Sequence, residues 1–244
     1  MTRRTITVIL TALVALAAFA AAVFLYQRPD RQQAAEQATE QAAAQSDGMV
    51  RFPSPVTGPT SAPVTIGMVR FYSPVIGPAS APVTIVEFFD PACEACRAFH
   101  PYVKQILAAH PRDVRLVIRY TPFHREASIV AVRILEAARA QQRFEPVLEA
   151  LLDAQPVWAS HRAPAIERAW EFAGAAGLDL ERARAHAASG ATDKLLEQEV
   201  ADLKAVGVRA TPTFFVNGKP LTEQDPRALQ EMVRNEVERT RKTP

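Results

Sequence analysis

The only two cysteines of this chain, Cys93 and Cys96, stand three positions apart and follow a strongly apolar segment. Two cysteines cannot build the multi-bridge framework that stabilises small secreted domains. A single close pair in an otherwise cysteine-free chain of 244 residues therefore indicates a pair that is kept for its chemistry. The two-residue gap lets the two sulfur atoms meet.

The residues around the cysteines have the pattern of a buried strand followed by a helix. Segment 83–89 is a short apolar run rich in β-branched and aromatic residues, which predicts a strand. Asp90, Pro91 and Ala92 end it. A helix is predicted from Cys93 to position 109, because apolar residues recur there at helical spacing, namely Cys96, Phe99, Val103 and Leu107.

This placement predicts different reactivity for the two thiols. Free N–H groups and the helix dipole stabilise a thiolate at a helix amino terminus. Cys93 is therefore expected to be an acidic, exposed nucleophile. Cys96, one turn further on and facing the core, is expected to be the resolving thiol that attacks a mixed disulfide. The alternatives are a structural disulfide and half of a metal site.

A metal site is the weaker alternative on the sequence. Cys93, Cys96 and His100 have a C-x2-C-x3-H spacing, and zinc accepts such ligands. A structural zinc site needs a fourth ligand, and no second cysteine pair supplies it. Position 97 is Arg, so the C-x-x-C-H haem signature fails. We expect no metal and no cofactor; the alternative function is a copper- or zinc-binding or structural-disulfide module built on the same pair.

The rest of the chain adds strands and many helices. Strands are predicted over 114–120 and 213–216. An Asn217-Gly218 hairpin turn leads to a partner strand near Leu221, and a last helix runs from about 226 to 241. Further helices are predicted over 128–141, 144–154, 164–174, 180–189 and 193–206. Trp158 and Trp170 lie among these helices and are expected in the core.

Three motifs around the cysteine pair carry a family resemblance. Segment 81–96 looks like the strand, loop and active-site helix of the DsbA-like branch of the thioredoxin superfamily. The helices between about 125 and 206 resemble its inserted helical domain, and 207–218 looks like its cis-proline segment. The resemblance implies an α/β, thioredoxin-like fold and a protein thiol–disulfide oxidoreductase. It also implies that Pro212 is a cis proline that binds substrate backbone, with Thr211 beside the nucleophilic sulfur.

Two residues between the cysteines depart from the best-known oxidants of that family. Those proteins carry a His there, whereas this chain has Glu94 and Ala95. A carboxylate next to the thiolate is expected to raise the pKa of Cys93 and make the disulfide less oxidising, and Arg97 could offset it. Thr211 before the cis proline resembles reductase or isomerase relatives as much as oxidants. The direction of electron flow stays open.

The amino terminus predicts export. Arg3 and Arg4 precede a 21-residue apolar run, 6–26, which as a helix reaches roughly 31 Å and can span a bilayer. We expect segment 1–26 to be a single-pass anchor with its start in the cytoplasm. The rival is a cleaved signal peptide, because Ala18-Phe19-Ala20 suits a peptidase. The anchored protein is expected on the periplasmic side of the inner membrane, and the cleaved one is expected to be secreted to the periplasm.

Two segments separate the anchor from the core. Segment 27–48 is rich in Gln and Ala and is expected to be a helical spacer. Segments 49–67 and 68–86 are a tandem repeat, identical at 15 of 19 positions. The second copy runs on into the strand at 83–89 and begins the oxidoreductase domain, 68–244. The first copy is expected to be a tether or edge strand, and it could compete for the position of the second.

Charge and loop composition complete the expectations about partners. The formal net charge of +2 gives no basis for nucleic-acid binding, which needs a clustered basic face. The expected partners are exported proteins with thiols or disulfides, together with a membrane redox partner. The segment that ends in His124 follows the second predicted strand and could approach the cysteines.

Overall fold

A computed structural model describes residues 68–242 of the chain. The anchor, the spacer and the first repeat copy, which are predicted over 1–26, 27–48 and 49–67, lie outside the described residues. None of the helices within 68–242 is both long enough and apolar enough to cross a membrane. The elements in chain order are β1 (Val75–Ile76), β2 (Val83–Phe89), α1 (Glu94–Ala109), β3 (Val114–Tyr120), α2 (Arg125–Ala140), α3 (Phe144–Asp153), α4 (Gln155–Trp158), α5 (Arg168–Ala175), α6 (Leu180–Ala188), α7 (Ala191–Val206), β4 (Thr213–Val216), β5 (Lys219–Pro220) and α8 (Pro226–Lys242).

A five-stranded sheet in the order β1-β3-β2-β4-β5 forms the centre of the molecule. The two middle strands, β2 and β3, are parallel, and the other pairs are antiparallel. Both of these strands are mostly apolar because helices cover both faces of the sheet. On one face Ile85 and Phe89 pack in the same cluster as residues of α1 and α8. On the other face Val86 and Phe88 pack with Leu203 of α7.

The thioredoxin-like α/β fold with a helical insertion is confirmed. The strands predicted over 83–89 and 114–120 are observed with those bounds. The insertion consists of α2 to α7 and lies between β3 and β4. Trp158 and Trp170 are buried, as expected. The hairpin turn is also present, with positive φ angles at Asn217 and Gly218.

Some element bounds differ from the predicted ones. The strand after the hairpin is Lys219–Pro220, so the prediction near Leu221 was slightly too late. Helix α2 begins at Arg125 rather than 128. The N–H of His124 just before it donates to the carboxylate of Asp90, 34 residues earlier. A start that is stabilised by a distant residue leaves no local signal in the sequence.

The second repeat copy supplies β1 and the first residues of β2. Strand β1 pairs with β3 through Val75 and Val117, and the N–H of Ile118 donates to the carbonyl of Pro74 at 2.9 Å. Gly77 follows with a φ of +101°, and a Cβ atom there would lie 2.9 Å from the carbonyl oxygen of Val114. Only glycine fits this close passage of the chain against β3.

Candidate functional site

The two cysteines lie where β2 turns into α1, and both are thiols. Cys93 is the N-cap of α1, and its N–H donates to the carbonyl of Asp90 at 3.0 Å. Cys96 is completely buried one turn into the helix. Cys93 is only 7% exposed, so the prediction of an exposed thiol was wrong. The reason is that another segment of the chain covers its sulfur.

The covering segment is the turn before β4. The peptide bond between Thr211 and Pro212 is cis, as the family resemblance implies. In its thiol form, Cys93 donates from Sγ to the carbonyl oxygen of Thr211 at 3.3 Å. Thr211 and Pro212 are therefore brought directly to the cysteine pair, although more than 100 residues separate them in sequence.

The environment separates the acidities of the two thiols. A hydrogen bond from the Cys96 thiol is the main cause that lowers the pKa of Cys93 to about 6. Burial opposes this, while Thr211 and the N–H groups of Cys96 and Ala95 lower the pKa further. Burial, followed by the bond to and the charge of Cys93, raises the pKa of Cys96 well above its usual value. At neutral pH the site therefore holds one thiolate, at Cys93.

A buried carboxyl group lies on the same face of the sheet as the cysteines. Glu87 is in the middle of β2, is 2% exposed, and its Oε1 has no hydrogen-bond partner among the described residues. Burial, with a smaller effect from the charge of Cys93, raises its pKa to about 8. Glu87 also contributes to the raised pKa of Cys96. The three groups therefore titrate as a coupled set.

A second buried carboxylate, Asp90, organises the loop before Cys93. Its Oδ1 accepts from the N–H of Ala92 at 2.9 Å. Its Oδ2 lies within 3.1 Å of four donors on the loop between β3 and α2 and on α2 itself, namely the N–H groups of Phe123 and His124, Nδ1 of His124 and Oγ of Ser128. The N–H of Asp90 donates to Sγ of Cys96 at 3.5 Å. Asp90 thus joins two loops to the cysteine pair.

The helical insertion is tied to the same loop by Gln155 of α4. Its Nε2 donates to the carbonyl oxygens of Pro91 and Cys93 at 2.8 and 3.0 Å. Its Oε1 accepts from Nε of Arg97 at 3.1 Å. Arg97 was expected to offset the charge of Glu94 at the thiolate. The structure instead uses its guanidinium to orient Gln155.

The two residues between the cysteines have different roles from those expected. The Glu94 side chain is 64% exposed, and its Oε1 lies 3.6 Å from Nε2 of His161. It points to solvent and to a histidine, and the pKa of Cys93 is lowered rather than raised. Ala95 acts through its backbone, because its N–H is one of the groups that lower this pKa.

The ligand set considered for a metal is not assembled. Within residues 68–242, no three His, Cys, Asp or Glu side chains are placed to hold a metal ion. His100 lines a mainly apolar cavity of about 150 Å³ between α1 and α3, and burial lowers its pKa. Its Nε2 is buried without a partner among the described residues.

Sequence reasoning did not identify Glu87, Asp90 and Gln155 as site residues. Glu87 does leave a signal, because it is the only charged residue in an apolar strand. Asp90 follows that strand directly and was interpreted only as its end. Gln155 leaves no signal, since its partners lie about 60 residues away in the chain.

Comparison with protein families and solved structures gives consistent matches. The family model described as thioredoxin matches residues 71–235, more than half of the chain. A thioredoxin-like oxidoreductase from Silicibacter pomeroyi DSS-3 is 30% identical, with 70% of this chain and 94% of that chain covered and a TM-score of 0.59. BdbD from Bacillus subtilis is 23% identical, with 68% and 93% covered and a TM-score of 0.62. α-DsbA1 from Wolbachia pipientis is 13% identical, with 70% of this chain and 94% of that chain covered and a TM-score of 0.63.

Two curated relatives match over a shorter part of their own length. The Na⁺/H⁺ antiporter NhaA of Herminiimonas arsenicoxydans is 35% identical over 137 residues, which is 56% of this chain and 21% of that protein. The Na⁺/H⁺ antiporter NhaA 3 of Salinispora tropica is 37% identical over 169 residues, which is 67% of this chain and 22% of that protein. The chain thus spans about a fifth of the length of these relatives.

Proposed function

This chain belongs to the thioredoxin family, and from that premise we propose that it is a protein thiol–disulfide oxidoreductase that works through Cys93 and Cys96. The single observation that carries the proposal is the placement of the two thiols, with Cys93 at the amino end of α1 beside Thr211 and Cys96 completely buried one turn further on. The pKa of Cys93 is about 6, and that of Cys96 is raised well above its usual value. Because thiolate is the reactive species, Cys93 is the nucleophile and Cys96 the resolving thiol.

The reaction is a pair of exchanges through a mixed disulfide. In the reducing direction the Cys93 thiolate attacks a substrate disulfide, and one substrate sulfur leaves as a thiolate. Cys96 then loses its proton and attacks Sγ of Cys93, which releases the second substrate sulfur and leaves the Cys93–Cys96 disulfide. The oxidising direction is the reverse.

Glu87 is suited to act as the base that accepts the proton of Cys96. While Cys93 is a thiolate, its charge helps to keep the Glu87 carboxyl protonated. Formation of the mixed disulfide removes that smaller contribution, so the pKa of Glu87 falls while burial keeps it above its usual value. The ionised fraction of Glu87 increases, and that carboxylate can accept the proton of Cys96. The deprotonation of Cys96 is thereby linked to the presence of a bound substrate.

Thr211 and Pro212 are the proposed substrate-binding residues. The Thr211 carbonyl lies 3.3 Å from Sγ of Cys93. A substrate chain that reaches this sulfur must therefore pass along the turn that contains the cis bond. Because Pro212 has no N–H group, we propose that hydrogen bonds to the substrate backbone come from the groups of Thr211.

We further propose that the substrates are exported proteins and that the enzyme acts on the periplasmic side of the inner membrane. The support is the sequence of segment 1–26, with Arg3 and Arg4 before a 21-residue apolar run. Such an anchor would hold the oxidoreductase near a membrane redox partner.

The reduction potential of the Cys93–Cys96 pair tests this function and sets its direction. The Cys93 pKa of about 6 lies between about 7 for thioredoxin and about 3.5 for DsbA. We therefore expect a potential between about −270 and −120 mV in glutathione buffers. Values near the upper bound indicate a disulfide donor, and values near the lower bound indicate a reductase or isomerase. A pair that never exchanges with glutathione would refute the proposal.

A further inference from the structure

His124 is held beside the active-site loop by a carboxylate that cannot move away. Its Nδ1 lies 2.8 Å from Oδ2 of Asp90, and the Asp90 side chain is completely buried. The N–H of His124 also donates to that oxygen, at 3.1 Å. The imidazole itself is 34% exposed, so it can exchange protons with solvent while its position stays fixed.

Asp90 connects this imidazole to both cysteines. The N–H of Asp90 donates to Sγ of Cys96, and its carbonyl accepts from the N–H of Cys93. The same residue therefore contacts the ring of His124 with its side chain and the cysteine pair with its backbone. Only Asp90 lies between the imidazole and the cysteine pair along these hydrogen bonds.

The groups that face His124 are mostly anions. Asp90, the Cys93 thiolate and Glu94 each raise the pKa of His124, with the Asp90 hydrogen bond as the largest cause, while burial lowers it. A second histidine, His161, has its ring centroid 6.1 Å from that of His124. Nε2 of His161 lies 3.6 Å from Oε1 of Glu94, so it faces that carboxylate as well.

We propose that His124 is a positioning residue whose protonation is coupled to the redox state of the Cys93–Cys96 pair. This inference rests on the proposed function and adds the group that holds the second proton. When a substrate dithiol is oxidised, its two electrons break the Cys93–Cys96 bond and its two protons are released. One proton goes to Cys96 as a thiol, and His124 takes up the other while Cys93 remains a thiolate.

The coupling must act in both directions. If the thiolate favours the protonated imidazole, then the protonated imidazole favours the thiolate by the same factor. Protonation of His124 therefore stabilises the reduced pair and makes the disulfide a stronger oxidant at lower pH. The neutral imidazole at higher pH removes this effect.

The test is the glutathione equilibrium of the full-length protein between pH 5.5 and 8.5, for the wild type and for His124→Asn. The Asn amide can still donate to Asp90 but carries no charge. We expect the substitution to shift the equilibrium roughly threefold toward the disulfide at pH 6, as for a partly exposed charge pair, and less at pH 8. His161→Gln is the matched control and should change the equilibrium less at both values.

A second measurement needs no substitution. Proton NMR of wild-type His124 should give a higher pKa in the reduced protein than in the oxidised one. Equal values in the two states would overturn the inference, as would an unchanged glutathione equilibrium in His124→Asn at every pH. Failure of the wild-type pair to exchange with glutathione at all would instead overturn the proposed function. If His124→Asn does not fold, the NMR comparison decides.

Discussion

Two buried charged residues on adjacent central strands are treated in opposite ways. Glu87 of β2 faces α1 and the cysteines, and its Oε1 has no hydrogen-bond partner among the described residues. Arg119 of β3 faces α7 and bonds to Glu199 and Asp202 at 2.8 and 2.6 Å. Its Nη1 also donates to the carbonyl oxygen of Met68 at 2.6 Å. The buried charged group on the α7 face has ion-pair partners, whereas Oε1 of the buried carboxyl on the α1 face has no hydrogen-bond partner among the described residues.

This difference distinguishes a buried charge that holds the fold together from a buried group that can take part in proton transfer. A paired charge such as Arg119 fixes the position of α7 against the sheet through its bonds to Glu199 and Asp202. An unpaired group such as Glu87 changes its pKa instead, to about 8. It can therefore gain or lose a proton near neutral pH. The comparison gives four predictions, in order of expected size.

Arg119→Met should have the largest effect on stability. It leaves Glu199 and Asp202 buried without this cation, which costs about 3–5 kcal/mol. Urea unfolding followed by circular dichroism measures the loss. Arg133→Met is the control, because Arg133 forms a partly exposed pair with Asp193 at 2.7 Å and should cost less than about 1 kcal/mol. Equal losses would show that burial of the pair is unimportant.

Glu87→Gln should stabilise the protein in a pH-dependent way. The pKa of Glu87 is raised in the folded state, so the folded protein binds this proton more tightly than the unfolded chain. The wild type therefore loses stability as pH rises from the unfolded pKa toward about 8, by on the order of 1 kcal/mol per pH unit at most. The variant lacks this loss, so its advantage should be small at pH 4.5 and largest above pH 8.

Unfolding of the oxidised and reduced proteins across this pH range tests the Glu87 prediction. The advantage should be smaller in the oxidised protein, because the Cys93 charge that contributes to the shift is then absent. A constant difference between variant and wild type at all pH values would mean that Glu87 does not titrate in the folded state.

Cys96→Ala should raise the pKa of Cys93 from about 6 by on the order of one unit. The variant removes the hydrogen bond that is the main cause of the lowered pKa. Thiolate absorbance against pH measures the shift, and Cys93→Ala reports Cys96 alone, which should titrate well above its usual value. If the pKa of Cys93 does not change in Cys96→Ala, the helix N–H groups and Thr211, not the Cys96 thiol, are what lowers it.

Glu94→Gln should have the smallest effect. Glu94 and Glu87 are the same residue type near the same sulfur, but Glu94 is exposed and lies near His161. Solvent screens its charge, so we expect the pKa of Cys93 to change by less than about half a unit. A larger decrease in the pKa of Cys93 would support the original expectation that Glu94 raises this pKa.

Local patterns predicted the elements and the cysteine pair, but long-range contacts complete the site. The strands and α1 were readable because hydrophobic periodicity is a local property. Thr211 and Pro212 were found only through a family resemblance. Asp90 and Gln155 act on partners 34 and more than 60 residues away, and a single sequence does not record such pairings. The exposure of Cys93 was misjudged for the same reason.

The carboxylate of Asp90 also affects how the molecule moves. Residues 121–124 form no helix or strand, and such a loop usually exchanges its amide hydrogens quickly with water. Here the N–H groups of Phe123 and His124 are bonded to a fully buried oxygen. They should open only when the active-site loop opens, so their exchange rates would report on how often the cysteine pair is exposed without any substrate present.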